Sequence, residues 1–403
     1  MSERRAVVIA VDGLRASALG PYGNTWHPTP VIDALAAQSV LVEWMYRESA
    51  SLEEFYRTLW GGGAPLRHSV EAPPVAGAVV TDDARVAAWA HEARFAEVIE
   101  LDLPAGESAE EVEGTELAAL MAVAAQQLTR EEGDMARSPR LLWIHARGLH
   151  GPWDAPRALR EALLDEGDPE APDFVAPPHL VATRDSDALL QIRVAYAAQV
   201  MALDDCIGGL LAALRESGRE AETLVVLVGC RGYALGEHGV AGGNAAPLYS
   251  VLLHVPCLVR IPGGSPAPMR RDGLATPRDL AATLSAWFGA EVASDGTDSG
   301  LDLLDPAAPP RVAVCATGPG ERSVRTPAWF LRACDGQQGV ALPTGSGPML
   351  ELYAKPDDRW ELNEIANRCG DVAERLLALA AAGETAANAP GGAIDADLIQ
   401  AQR

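Results

Sequence analysis

The chain has 403 residues, with 56 acidic against 32 basic side chains and a formal charge of −24. Nucleic-acid backbones and anionic membranes repel so acidic a surface, so both are excluded as broad partners. With 48% apolar and 22% charged residues, the composition is that of a globular chain able to bury a large core in more than one structural unit.

The start, MSERRAVVIAVDG, enters an apolar strand at Ala6–Val11 without an apolar leader. Ser108 and Glu111 have the spacing of a capping box and predict a helix running to about Leu128. Arg140–Ile144 is the next buried strand. Gly167–Pro178 is a Pro-rich surface loop, and Asp185–Leu214 is a long amphipathic helix. Leu224–Val228, Cys257–Ile261 and Arg311–Cys315 are further apolar strands, and Pro277 opens a helix between the last two. Short strands alternating with helices predict an α/β fold with a largely parallel sheet covered on both faces. After about Ser323 the texture changes to short antiparallel strands, Ala328–Cys334 and Met349–Tyr353, and a helix at Asp371–Ala382. The expected division is residues 1–322, a C-terminal α+β subdomain at 323–385 and a loose tail at 386–403. No run of 18 apolar residues predicts a membrane span. The six cysteines lack disulfide or zinc spacing and are read as reduced thiols, so the expected location is the cytoplasm.

Six segments carry a family resemblance in the right order. They are AVVIAVDGLRASALGPYG at Ala6–Gly23, TPVIDALAA at Thr29–Ala37, HGPWDAP at His150–Pro156, YAAQVMALDDCIGGLL at Tyr196–Leu211, YSVLLHVPCLVRIPG at Tyr249–Gly263 and ELYAKPDDRWELNEIA at Glu351–Ala366. Between the fourth and the fifth of these segments lies TLVVLVGCRGYALGEHG at Thr223–Gly239. Together they resemble the sulfatases of the alkaline phosphatase superfamily. The resemblance implies an alkaline-phosphatase-like three-layer sandwich with a small C-terminal subdomain.

The resemblance also implies a metal site of two early Asp and a late Asp-His or Asp-Asn pair. Here Asp12 stands at the first position, Gly13 at the second, and Cys230 and Arg231 at the late pair. Calcium takes roughly six to eight oxygen ligands, and one carboxylate beside a guanidinium does not supply them. Arg231 follows a strand that neighbours Asp12 in the family sheet, so a bidentate Arg231–Asp12 pair is expected to stand in for the ion's charge. The family nucleophile lies in Cys-x-Pro-Ser-Arg. The matching stretch, ESASLEEFYRTLWGGG, puts either Glu53 or Ser51 at that place, and no register also keeps the Pro-Ser-Arg. The family Lys falls near 244–246, where none occurs. Arg57, Arg147 and His150 remain as a candidate anion-binding cluster, with His145 nearby. The acid pairs Glu53-Glu54 and Asp204-Asp205 are read as solvated helix faces. His238 and His254 are read as structural.

Three readings stand open at this point. The first is a catalytically inactive sulfatase-like protein that keeps its cleft for a small anion or a protein partner, with no cofactor. The second is an active sulfuric-ester or phosphoric-ester hydrolase using Ser51, Glu53, Arg57, His150 or Asp12, with calcium. The third is an interaction protein with a filled cleft. The sequence leaves the ligand, the partner and the oligomeric state unspecified.

Overall fold

Arg5–Asp12 forms strand β1, buried along its whole length. An unbroken apolar run, with no polar alternation, is what a strand covered on both faces requires. The computed structural model describes residues 4–60, 77–103, 106–130, 139–182, 184–243, 247–263, 269–289, 300–335, 349–382 and 396–399. The strands that follow are β2 (Val40–Tyr46), β3 (Gly77–Thr81), β4 (Glu97–Glu100), β5 (Leu141–Ala146), β6 (Leu180–Ala182), β7 (Thr223–Arg231), β8 (Ala234–Leu235), β9 (Val240–Gly242), β10 (His254–Val255), β11 (Cys257–Arg260) and β12 (Met269–Ala275). The main sheet has nine strands in the order β10-β2-β11-β7-β1-β5-β3-β4, with β12 also on β2. From β7 to β4 every neighbouring pair is parallel, while β11 runs antiparallel to both β7 and β2.

Helices cover both faces: α1 (Pro30–Ala36), α2 (Leu52–Trp60), α3 (Ala84–Glu92), α4 (Glu116–Leu128), α5 (Arg157–Glu161), α6 (Ser186–Glu216), α7 (Ser250–Leu253) and α8 (Pro277–Phe288). The period of two along β1 divides the core. Val7, Ile9 and Val11 pack with α1, α4 and α6, and Val8 and Ala10 pack with α2, α3 and α8. Each large side chain buried this way contributes roughly 1.5–3 kcal/mol. Among the described residues α6 is the one helix that matches a membrane span by length and apolarity, yet 67% of its most apolar window is buried inside this fold.

Five expectations need correction. The helix expected from Ser108 starts at Glu116: Thr115 is its N-cap, and its hydroxyl accepts from the Ala118 amide at 3.1 Å. Asp204 is not solvated. It is buried, and its carboxylate accepts the Val31 and Ile32 amides at 3.1 and 2.8 Å, capping α1 from a neighbouring helix. The C-terminal sheet begins ahead of residue 323, with β13 (Val314–Gly318) and β14 (Glu321–Arg325) joining β15 (Trp329–Cys334) and β16 (Met349–Ala354) under α9 (Gly370–Ala382). β13 also lies later than the expected Arg311–Cys315 strand. In the tail, Ala396–Ile399 is helical, and Leu398 is buried against Leu376 and Ala380. The remainder of 386–403 and the stretch 244–246 lie outside the described residues.

Candidate functional site

β1 and β7 end side by side, and their pairing shifts by one residue at the end. Val11 faces Gly229 and Asp12 faces Arg231, which leaves Cys230 as the extra residue of a bulge. A bulge re-aims side chains, and this one sets Arg231 beside Asp12. Arg231 Nε donates to Asp12 Oδ1 at 2.8 Å and a terminal nitrogen donates to Oδ2 at 2.9 Å. This is the bidentate fork of a charge-assisted pair. Side-chain exposure is 9% for Arg231 and 1% for Asp12, so the pair is shut away from water. Burial raises the Asp12 carboxyl's affinity for a proton, but Arg231, helped by His150, holds it well below the usual carboxylate range.

The position after Asp12 is built for glycine. Gly13 has φ of +79°, and a Cβ there would meet the Leu149 backbone and side chain at 2.8 Å and His150 at 3.0 Å. An aspartate at this place would collide with a backbone that cannot swing aside. Tyr196 donates its hydroxyl to the Gly13 carbonyl at 2.8 Å and fixes the turn. Arg15 and Glu237, from two of the quoted family segments, still join at 2.7 Å.

A second ring of groups surrounds the pair. His145, at the end of β5, is fully buried; its Nδ1 lies 2.7 Å from the Tyr56 hydroxyl and 3.8 Å from Cys230 Sγ. Burial pushes His145 and His150 down to about 4, so both rings are neutral at pH 7. Burial pushes the Cys230 thiol well above its ordinary value, which keeps it from being a thiolate nucleophile or ligand. Arg47, just after β2, is 2% exposed and donates to the Ser51 carbonyl at 2.8 Å. Buried atoms His145 Nε2, His150 Nε2 and Arg47 Nη1 have no hydrogen-bond partner among the described residues.

The remaining predicted residues are not brought together. Glu53 is 55% exposed and pairs with Arg57 at 2.5 Å on the outer face of α2; Glu54 holds the same guanidinium. Arg57 is thus a surface side chain between two carboxylates, not a cation of the cleft. Ser51 sits at the start of α2, where its hydroxyl accepts the Glu54 amide at 3.4 Å. Arg147 is also taken: Glu116 binds it at 2.8 Å, and Asp82 accepts its amide at 2.7 Å. Burial raises Asp82 to about 6 and Glu116 to about 7. Of the three anion candidates only His150 stands beside Asp12. Arg47 and Tyr56 were not picked out by sequence reasoning. The one signal for Arg47 is a charge directly after the apolar run of β2. His238 stacks on Tyr249 at 3.5 Å between ring centroids, and His254 stacks on Tyr46 at 5.2 Å.

A divalent ion asks for several hard oxygens. The four inherited positions offer one carboxylate, already held through both oxygens, one glycine, one protonated thiol and one guanidinium. This donor set does not fit such an ion. Among the described residues no group of three His, Cys, Asp or Glu side chains has metal-binding spacing.

The Sulfatase family model matches residues 80–290. The N-acetylglucosamine-6-O-sulfatase of Bacteroides thetaiotaomicron is 29% identical over 171 residues, which are 42% of this chain and 28% of that protein. The multifunctional alkaline phosphatase superfamily protein PehA of Trinickia caryophylli is 30% identical over 121 residues, 28% of this chain and 23% of that one. The chain therefore aligns with less than a third of either curated relative. In structure, the phosphonate monoester hydrolase of Agrobacterium radiobacter superposes with a TM-score of 0.69 at 16% identity, covering 94% of this chain and 96% of that one. Half of the chain lies under the family model, and nearly all of it follows the alkaline-phosphatase-like architecture: the chain belongs to the sulfatase family.

Proposed function

We propose that this sulfatase-family chain is a catalytically inactive member, in which an internal salt bridge stands where the family resemblance implies an ion. The observation that carries the reading is the bidentate Arg231–Asp12 pair. A guanidinium cannot be displaced cheaply from a buried carboxylate, because the partner left behind is an uncompensated charge. The surrounding chemistry supports the same reading. Glu53 is a surface residue in a local ion pair, Ser51 caps a helix, and the Cys230 thiol is protonated. A cooperating catalytic set loses most of its rate when one member goes, and here several positions differ together.

The test is turnover. Purified protein is incubated with aryl sulfate, aryl phosphate and aryl phosphonate esters, with and without added calcium. The expected result is release no faster than in buffer under every condition. Multiple turnovers that vanish in Asp12→Asn would favour the active-hydrolase reading instead.

A further inference from the structure

A polar cleft of about 380 Å³ opens beside Arg47, lined by Glu48, Ser49, Ser51, Glu54, Thr58, Pro277, Arg278 and Thr317 as well as Arg47 itself. Its walls are α2, the first turn of α8 and the end of β13, not the ends of β1, β5 and β7 where the inherited metal positions lie. That volume falls in the range of small-molecule sites.

The lining has a definite charge pattern. Arg278 Nε donates to Glu48 at 3.0 and 3.2 Å, so those two charges cancel. Glu54 is held by Arg57. Asp12 is neutralised by Arg231. Arg47 is left over: it is 2% exposed, no carboxylate touches it among the described residues, and its Nη1 is buried without a partner. Its other contacts are the Ser51 carbonyl at 2.8 Å and the Phe55 ring at 4.8 Å. Burial lowers Arg47 to about 10, so it stays charged at neutral pH.

The hydroxyls beside it are set as donors. Ser49 Oγ accepts the Ser51 amide at 3.1 Å, and Ser51 Oγ accepts the Glu54 amide at 3.4 Å. A hydroxyl whose lone pair serves a backbone amide still has its proton to give. The N-termini of two helices, α2 and α8, meet at this cleft through Ser51 and Pro277, and each favours negative charge. The single unbalanced guanidinium matches one negative charge. With Glu48 and Glu54 already paired, a dianion in this cleft would keep one negative charge uncompensated, which disfavours phosphate and sulfate.

We infer that this cleft binds a small organic monocarboxylate, with Arg47 as its counter-ion and the Ser49 and Ser51 hydroxyls as flanking donors. The cleft takes in Ser51, one of the two places matched to the family nucleophile, but none of Asp12, Gly13, Cys230 and Arg231, and the inference holds whether or not the chain hydrolyses esters. The test is thermal unfolding of the full chain at fixed ionic strength, titrated with acetate, propionate or lactate, with chloride, phosphate and sulfate as comparisons. Ligand binding to the folded state raises the melting temperature by mass action. The expected result is a saturable rise of a few degrees with the carboxylates, exceeding that with the three inorganic anions. Arg47→Gln is expected to abolish it. Because Arg47 is buried and that variant is at risk of misfolding, the double variant Ser49→Ala/Ser51→Ala gives a second arm, with carboxylate affinity expected to fall about tenfold. No carboxylate response in the wild type, a stronger response to phosphate or sulfate, or unchanged affinity in the double-serine variant would each overturn the assignment.

Discussion

Two buried arginine–aspartate pairs of this molecule look alike and are surrounded differently. In α8, Asp279 receives Arg311 at 2.6 and 2.9 Å, and it also accepts the Thr276 and Leu301 amides, both at 2.7 Å. Both side chains are at most 1% exposed. At the end of β1, Asp12 receives Arg231 with the same fork, but among the described residues its one backbone donor is Gly13 at 3.1 Å. Around it stand His145 Nε2, His150 Nε2 and Arg47 Nη1, buried and without a hydrogen-bond partner among the described residues. The first pair is a staple with its hydrogen-bonding capacity filled. The second is a plug among buried atoms whose hydrogen-bonding capacity is not filled by the described residues. Fork geometry alone does not separate a staple from a plug, and the satisfaction of the neighbouring atoms does.

The largest expected effect comes from breaking either fork. Asp279→Ala takes away the carboxylate that forks with Arg311 and frees two backbone amides, and it is expected to cost about 3–5 kcal/mol in denaturant unfolding. Asp12→Ala removes one fork and one weak amide contact, so its cost is expected to be the smaller of the two. A larger loss for Asp12→Ala would reverse the staple–plug distinction.

The histidines around the plug give the second contrast. His145 and His150 fall from 6.5 to about 4 through burial. The unfolded chain takes up protons below 6.5 while the folded rings stay neutral until about 4, so stability falls as pH drops through that window. Each ring contributes a loss on the order of 3 kcal/mol by pH 4. Asp82, raised by burial from 3.8 to about 6, acts in the other sense. Its stabilisation is full below 3.8 and is lost as pH rises through 6. Glu116 has the same sign, weakened by solvent. Because His27 and His254 are also lowered by burial, to about 4 and about 3, the histidines outnumber the acids. Net stability is therefore expected to fall from pH 6.5 to 4, and His145→Gln should flatten that slope. An unchanged slope in the variant would show that His145 is not held neutral.

A smaller effect is expected at Gly13. Replacement by Asp restores a family carboxylate on paper but forces a side chain into φ of +79° and against Leu149. We expect a loss of about 1–3 kcal/mol and no gain in calcium binding by calorimetry. Calcium affinity appearing in that variant would mean that the turn is more plastic than its contacts imply.

The parts of the fold written as local patterns were legible in the sequence. β1, β5, β7 and β11 are apolar runs, and α6 and α8 carry their own start signals. What was not legible depends on which of two local signals wins, or on distant partners. Ser108 and Glu111 have capping spacing, but Thr115 caps α4, and the Glu116 amide is bound by Asp154 from a separate segment at 2.7 Å. Asp204 reads as a solvated acid because the α1 amides it caps lie far away in sequence. In the site, Asp12 and Arg231 were readable together because both end neighbouring strands. Arg147 reads as available only while Asp82 and Glu116 are out of view. Arg57 is different: its partners Glu53 and Glu54 lie within one helical turn, so that pairing was there to be read. Arg47 and Tyr56 gain meaning only when β2 and α2 fold against β5 and β7.

The most direct measurement of the central claim is elemental analysis of the purified protein, paired with thermal unfolding in the presence and absence of a strong chelator. With a guanidinium seated on Asp12, we predict no stoichiometric divalent metal and a melting temperature unchanged by chelation. One equivalent of calcium or another divalent ion per chain, with a drop of many degrees when it is stripped, would contradict that account.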